Sequence, residues 1–133
     1  MIVDTSALMA ILLGEPETVT FATMLDAADD LSISAATFLE FSIVIDARRN
    51  PALSNQVEEI LERYDIYIEH ITTEQARIAR QAYRDFGKGS GHRANLNFGD
   101  CFAYALARVK REPLLYKGDD FVHTDLRSAV EQS

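Results

Sequence analysis

Five acidic residues, spread over the whole chain, stand where carboxylates can do chemistry: Asp4, Glu40, Asp100 and the adjacent pair Asp119 and Asp120. Four of them have a plain structural use. Asp4 directly follows an apolar run and could simply cap the next helix. Asp100 follows Gly99 at the start of a helix, where a negative charge suits the dipole. Asp119 and Asp120 fit a turn. Glu40 is harder to dismiss. Its helical neighbours at i−4, i+3, i+4 and i+7 are Ala36, Ile43, Val44 and Ala47, an apolar stripe that should turn the side chain toward the core. A buried carboxylate without a partner costs on the order of several kcal/mol, so it needs a cation or strong hydrogen bonds. Acids gathered in one place raise one another's pKa unless a cation intervenes. Oxygen-only ligands suit hard cations such as Mg2+ or Mn2+, and such a cation can activate water for phosphodiester cleavage.

Other chemistry is poorly supported. His70, His92 and His123 lack metal-ligand spacing, and Cys101 lies on a largely apolar helix as a packed core residue. There is no glycine-rich phosphate loop and no nucleophile elbow. Thr5 and Ser6 lie where a hydroxyl could meet a phosphate or a water, or could serve the helix start. Lys88, His92 and Arg93 precede Asp100, and Lys117 precedes the acidic pair. With Ser6 they are candidate substrate contacts that could guide a phosphate backbone. Arg77, Arg80 and Arg84 share one helical face, toward solvent or a partner.

The elements that must position these groups follow from periodicity and punctuation. Short apolar runs at Met1–Val3, Leu31–Ser34, Ile66–Ile71 and Leu114–Tyr116 read as strands. Helical patterns fill Thr5–Leu13, a segment opened by Pro16, Ala35–Arg49 behind an N-cap at Ser34, Leu53–Tyr64, the stretch from Thr73 to Phe86, and Gly99–Arg111. Gly87–Asn97 reads as a loop, and a short helix is expected from Thr124 or Asp125. Strands alternating with helices imply a central parallel sheet of four to five strands flanked by helices. In an open α/β sheet ligands bind beyond the carboxyl ends of the strands, where Asp4, Asp119 and Asp120 fall.

Composition is compatible with this picture. The 133 residues suit one domain, spanning 1–133, with 47% hydrophobic and 26% charged residues. A single cysteine excludes an internal disulfide and the usual cysteine-based zinc site, and a reducing cytoplasm is expected. The first apolar run carries Asp4 and has no basic region before it, so no signal peptide is expected. No stretch approaches the roughly 18 apolar residues of a membrane span. A net charge of −8 argues against a broad basic face for nucleic acid. A metal and a few local basic groups would have to supply the positive charge.

Four stretches then resemble the motifs of the PIN-domain nucleases, and among them the VapC toxins of bacterial toxin–antitoxin pairs. They are Met1-Ile2-Val3-Asp4-Thr5-Ser6-Ala7-Leu8, Ser34-Ala35-Ala36-Thr37-Phe38-Leu39-Glu40, Leu96-Asn97-Phe98-Gly99-Asp100-Cys101-Phe102-Ala103-Tyr104-Ala105-Leu106-Ala107, and Leu114-Leu115-Tyr116-Lys117-Gly118-Asp119-Asp120-Phe121. The third is the most specific, and together they cover the chain from end to end. The resemblance implies a single PIN-like α/β domain and a Mg2+- or Mn2+-dependent endoribonuclease that cuts tRNA or ribosomal RNA. It implies a VapB-like antitoxin, a homodimer and toxin–antitoxin hetero-oligomers. Asp4 and Asp100 match the family's metal ligands, with Glu40 as the third acid. Many relatives place a fourth acid three residues before the motif's Phe, but here that position is Gly118. Asp120 is the preferred substitute and Asp119 the alternative. Two other readings stand beside this one: a housekeeping RNA-processing nuclease of the same family, and a phosphorylatable receiver-type domain. The receiver is disfavoured because its third strand would have to be followed by an acceptor Asp, and here that strand ends in Glu69, His70 and Ile71.

Overall fold

The computed structural model describes residues 1–130. Its four strands, β1 (Ile2–Val3), β2 (Leu31–Ser34), β3 (Ile66–Glu69) and β4 (Leu114–Leu115), form one parallel sheet in the order β3-β2-β1-β4. Six helices flank it: α1 (Thr5–Leu12), α2 (Thr18–Ala27), α3 (Ala35–Asp46), α4 (Pro51–Arg63), α5 (Thr73–Phe86) and α6 (Phe98–Lys110).

The two faces of the sheet divide the core by strand alternation. Val3 and Leu115 point into one cluster with Leu8, Phe41, Ile45 and Leu61. Ile2 and Leu114 point into the other, with Leu106, Phe121 and Leu96. The chain leaves β1 toward β2 and β3 on one side and returns to β4 on the other. The order therefore reverses beside β1, and the crevice at a carboxyl edge opens at such a reversal. Asp4 sits there, its amide donating to Leu115 O at 3.0 Å.

Several boundaries differ from the sequence expectations. Helix α4 starts at Pro51, because Asn50 caps it by accepting from the amides of Ala52 and Leu53. Helix α5 keeps the expected bounds, and Thr72 caps it by accepting from Gln75 N. The stretch 87–97 is less irregular than its glycines suggest. Lys88 N donates to Leu96 O and Leu96 N to Phe86 O, both at 2.8 Å, and Ala94 and Leu96 are buried. The expected tail helix is absent over 124–129. Ser128 bridges Leu114 in parallel, and Ala129 N donates to Leu114 O at 2.9 Å. Positions 131–133 lie outside the described residues. Among the described residues no helix is long and apolar enough to cross a membrane.

Candidate active site

Asp4 is both a cap and a buried acid. It is 5% exposed, N-caps α1, and its Oδ2 accepts from Ser6 N at 3.0 Å and from Ser6 Oγ at 2.6 Å. Burial pushes its pKa to about 6, against the lowering effect of the Ser6 hydrogen bonds, and the neighbouring Glu40 charge adds to the rise. Ser6 Oγ in turn accepts from Lys117 N at 2.9 Å. One hydroxyl thus ties the start of α1 to the chain leaving β4, and this is the observed role of Ser6.

Glu40 reaches the same place for a reason other than the expected one. Helix α3 buries Thr37, Phe41 and Ile45, a line spaced four apart, while Ile43 and Val44 are 58% and 40% exposed. The stripe of Ala36, Ile43, Val44 and Ala47 is therefore not the core face. Glu40 is half-buried one step around the helix, and α6 covers it. Its Oε1 accepts from Thr5 Oγ1 at 2.7 Å, and its carboxylate packs on the backbone of Gly99.

Asp100 stands in the first turn of α6, closed by a capping box. Its amide donates to Asn97 Oδ1 at 2.9 Å, and Asn97 N donates to its Oδ2 at 3.0 Å. Asp100 is 8% exposed. Burial raises its pKa to about 7, the Asn97 amide works against the rise, and the charges of Asp120 and Asp4 add to it. The Asp120 carboxyl lies within hydrogen-bonding reach of Asp100. Both Asp119 and Asp120 are exposed in the turn after β4. Of the two, Asp120 is the one that raises Asp100.

The acids thus form a chain of neighbours, Glu40 to Asp4 to Asp100 to Asp120, across the carboxyl edge. Among the described residues no three acidic, imidazole or thiol groups already converge as a closed cation cage. The donor chemistry nevertheless suits a hard cation. The candidate donors are oxygen only, and two of the acids are lifted well above the ordinary carboxylate range by burial, with the charges of neighbouring acids adding to the rise. An ionised carboxylate accepts at about four sites. The bonds from Ser6, Thr5 and Asn97 therefore orient these groups without exhausting them.

The basic candidates separate. Lys117 Nζ is committed to Glu15 Oε1 and Glu17 Oε1, both at 3.1 Å. It ties the β4 exit to the turn between α1 and α2 and is not the free phosphate contact expected. His92 is half-buried. Its ring meets Phe86 edge-on at 5.0 Å, and its Nδ1 accepts from Ala94 N at 3.0 Å, so it braces the 87–97 segment. Lys88 and Arg93 are exposed on that segment, with no ion pair among the described residues. Sequence reasoning missed Asn97 and Gly99. The signal for Asn97 was present, since Asn-x-x-Asp is a capping-box spacing.

Comparison with known proteins follows the same lines. The sequence profile of the PIN domain matches residues 1–126. Ribonuclease VapC28 of Mycobacterium tuberculosis is 51% identical over 132 residues, covering 99% of each chain. Ribonuclease VapC42 of the same species is 46% identical, covering 97% of this chain and 98% of its own. Among solved structures, Mycobacterium tuberculosis VapC20, described as a sarcin-ricin loop cleaving toxin, superposes with a TM-score of 0.73 at 18% identity, over 94% of this chain and 95% of that one. FitAcB from Neisseria gonorrhoeae gives 0.70 at 20% identity, over 96% and 94%. A toxin–antitoxin complex from Klebsiella pneumoniae gives 0.69 at 18%, over 93% and 92%. At these identities the structural likeness speaks for the fold.

Proposed function

The chain belongs to the PIN-domain family, and from that premise we propose that it is a VapC-type toxin: a divalent-metal-dependent endoribonuclease held in check by an antitoxin. The observation that carries the chemistry is the acid chain at the strand-order reversal, with Asp4 and Asp100 buried and both lifted above the ordinary range. The ribonuclease reading rests on relatives of that name that align end to end.

Asp4, Asp100 and Glu40 would hold Mg2+ or Mn2+, with Asp120 as the fourth acid. When bound, such an ion supplies charge neutralisation and makes water a competent nucleophile near neutral pH. The chain's own residues do the rest. Ser6 and Asn97 fix the rotamers of Asp4 and Asp100 by donating to one oxygen of each. Burial, with the charges of Asp120 and Asp4, lifts Asp100 to about 7, so a cation bound there would compete with a proton. Lys88 and Arg93, exposed just before α6, would receive the RNA backbone. The substrate class is structured RNA, either tRNA or ribosomal RNA, and the site of action is the cytoplasm where such RNA lies. The antitoxin partner is supported by the complex from Klebsiella pneumoniae that shares the fold. Association as a homodimer and as a toxin–antitoxin hetero-oligomer belongs to the same proposal.

Cleavage of a tRNA and ribosomal RNA mixture in Mg2+ or Mn2+ tests the reading. Asp4→Ala and Asp100→Ala should each lower the rate at least a hundredfold, and a chelator should abolish it. Equal cutting by wild type and both variants, or cutting that survives chelation, would remove the metal-nuclease assignment.

A further inference from the structure

The Glu40 carboxylate is gripped from two sides. On one side Thr5 Oγ1 donates to Oε1 at 2.7 Å, with only a long 3.4 Å alternative to Thr37 O. Thr5 is the first residue of α1, and capping there is already done by Asp4. Its hydroxyl is therefore free to serve Glu40. On the other side lies Gly99. A Cβ built at position 99 would overlap Glu40 Oε2 and stand 2.9 Å from Cδ and 3.2 Å from Oε1.

Backbone geometry does not ask for glycine at that position. Gly99 lies inside α6 and is not among the positive-φ residues. Glycine is the poorest helix former after proline, so local structure would favour almost any other residue. What the missing side chain provides is the space that the carboxylate occupies. Glutamate has three rotatable bonds, and without such a grip its charged end would sample many positions relative to Asp4. The atoms a new Cβ would meet form the far end of a flexible side chain. A substitution at 99 therefore moves the carboxylate rather than the fold.

We propose that Thr5 and Gly99 are positioning residues that clasp the Glu40 carboxylate beside Asp4 and thereby set the affinity of the acid chain for a divalent cation. The inference rests on Glu40 being a ligand, as proposed above, and the following experiment separates the two claims.

Mn2+ affinity is measured by titration calorimetry on the full, EDTA-stripped chain, with no RNA present. Thr5→Val, which keeps the shape and removes the hydroxyl, should weaken binding roughly tenfold, as should Gly99→Ala. Thr5→Ser should restore the affinity to within about twofold of wild type, which a purely steric role for Thr5 would not. In a Glu40→Ala background neither change should matter by more than about twofold, because there is no carboxylate left to position. The melting temperatures of Thr5→Val and Gly99→Ala in EDTA should stay within a few degrees of wild type. If Gly99→Ala does not fold, the isosteric Thr5 pair still decides the matter. The clasp is overturned if Glu40→Ala weakens binding while Thr5→Val does not, or if Thr5→Val acts equally with and without Glu40. If Glu40→Ala binds Mn2+ like wild type, Glu40 is not a ligand, and both claims fall.

Discussion

At the scale of single residues, the site stores its function as an electrostatic burden. Asp4 and Asp100 both start from an unfolded value of 3.8 and rise on folding to about 6 and about 7. In each case the folded state binds the proton more tightly than the unfolded state. Between about pH 4 and about pH 7 unfolding therefore releases protons, and stability falls as pH rises. The contribution is fully present below the unfolded value and is lost as pH climbs through the folded values. Glu17, held low by Lys117, works in the opposite sense and below this window. We expect the metal-free protein in EDTA to melt at a higher temperature at pH 5 than at pH 8, a loss on the order of 2 kcal/mol or more. Asp100→Asn, which keeps a cap acceptor and removes the charge, should flatten that slope and stabilise the pH 8 form. Added Mn2+ should recover stability at pH 8 in wild type and much less in the variant. Scanning calorimetry at both pH values checks this; a flat or rising profile from pH 5 to 8 would mean that the acids carry no such burden. The Glu40 position also shows how far composition along a helix can mislead. Glu40 does lie beside Asp4, but the inference from Ile43 and Val44 fails because those side chains are exposed. A stripe read from spacing identifies an apolar face and does not say what lies against it.

At the scale of elements, the local signals that were legible are the ones set by short-range chemistry. Ser34 caps α3 as its position before Ala35 suggests, and the strand positions agree within a few residues because β2 and β4 are buried on both faces. What stayed hidden depended on partners distant in sequence. The pairing of Gly87 with Leu96 and the burial of Ala94 order a segment that looks irregular residue by residue. The tail follows β4 instead of coiling because Leu114 offers an open edge, which Ser128 and Ala129 take up. The start of α6 is the element boundary that matters most, since Asp100 is aimed by the box it forms with Asn97. Asn97→Ala removes one half of that box and should cost about 1 kcal/mol in urea unfolding, while Asn97→Ser should recover most of it. The bond that holds the Asp100 carboxylate is donated by the Asn97 main-chain amide and survives the change, so any loss of cleavage should follow the loosening of the helix start and not exceed it. Equal stability of Asn97→Ala and wild type would show that the box does not hold the helix start.

At the scale of the whole molecule, the chain is acidic and its proposed substrate is a polyanion. The alternation of strands and helices identified the parallel sheet. It also singled out the carboxyl edge, but not the point along that edge where the crevice opens, because the sheet order 3-2-1-4 depends on the return crossover to β4. The net charge of −8 would repel such a substrate at long range, and several basic groups are spent internally. Lys117 is tied to Glu15 and Glu17, Arg108 to Asp125, and Lys110 to Glu69. Near the start of α6, Lys88 and Arg93 remain exposed. If these two carry the backbone contacts, few counterions are released when RNA binds. For single-stranded RNA each neutralised phosphate contributes about −0.7 to the slope of log affinity against log salt, so two contacts give about −1.4. The measurement is fluorescence anisotropy of a labelled single-stranded RNA with the slow variant Asp4→Asn, at constant Mn2+ and varied KCl. Lys88→Ala and Arg93→Ala should each flatten the slope by about 0.7 and weaken binding without moving Mn2+ affinity. A wild-type slope steeper than about −4 would require more basic contacts than these two residues supply. In that case the arginine face of α5, with Arg77, Arg80 and Arg84, would become the surface to mutate, and the RNA path proposed across the start of α6 would be wrong.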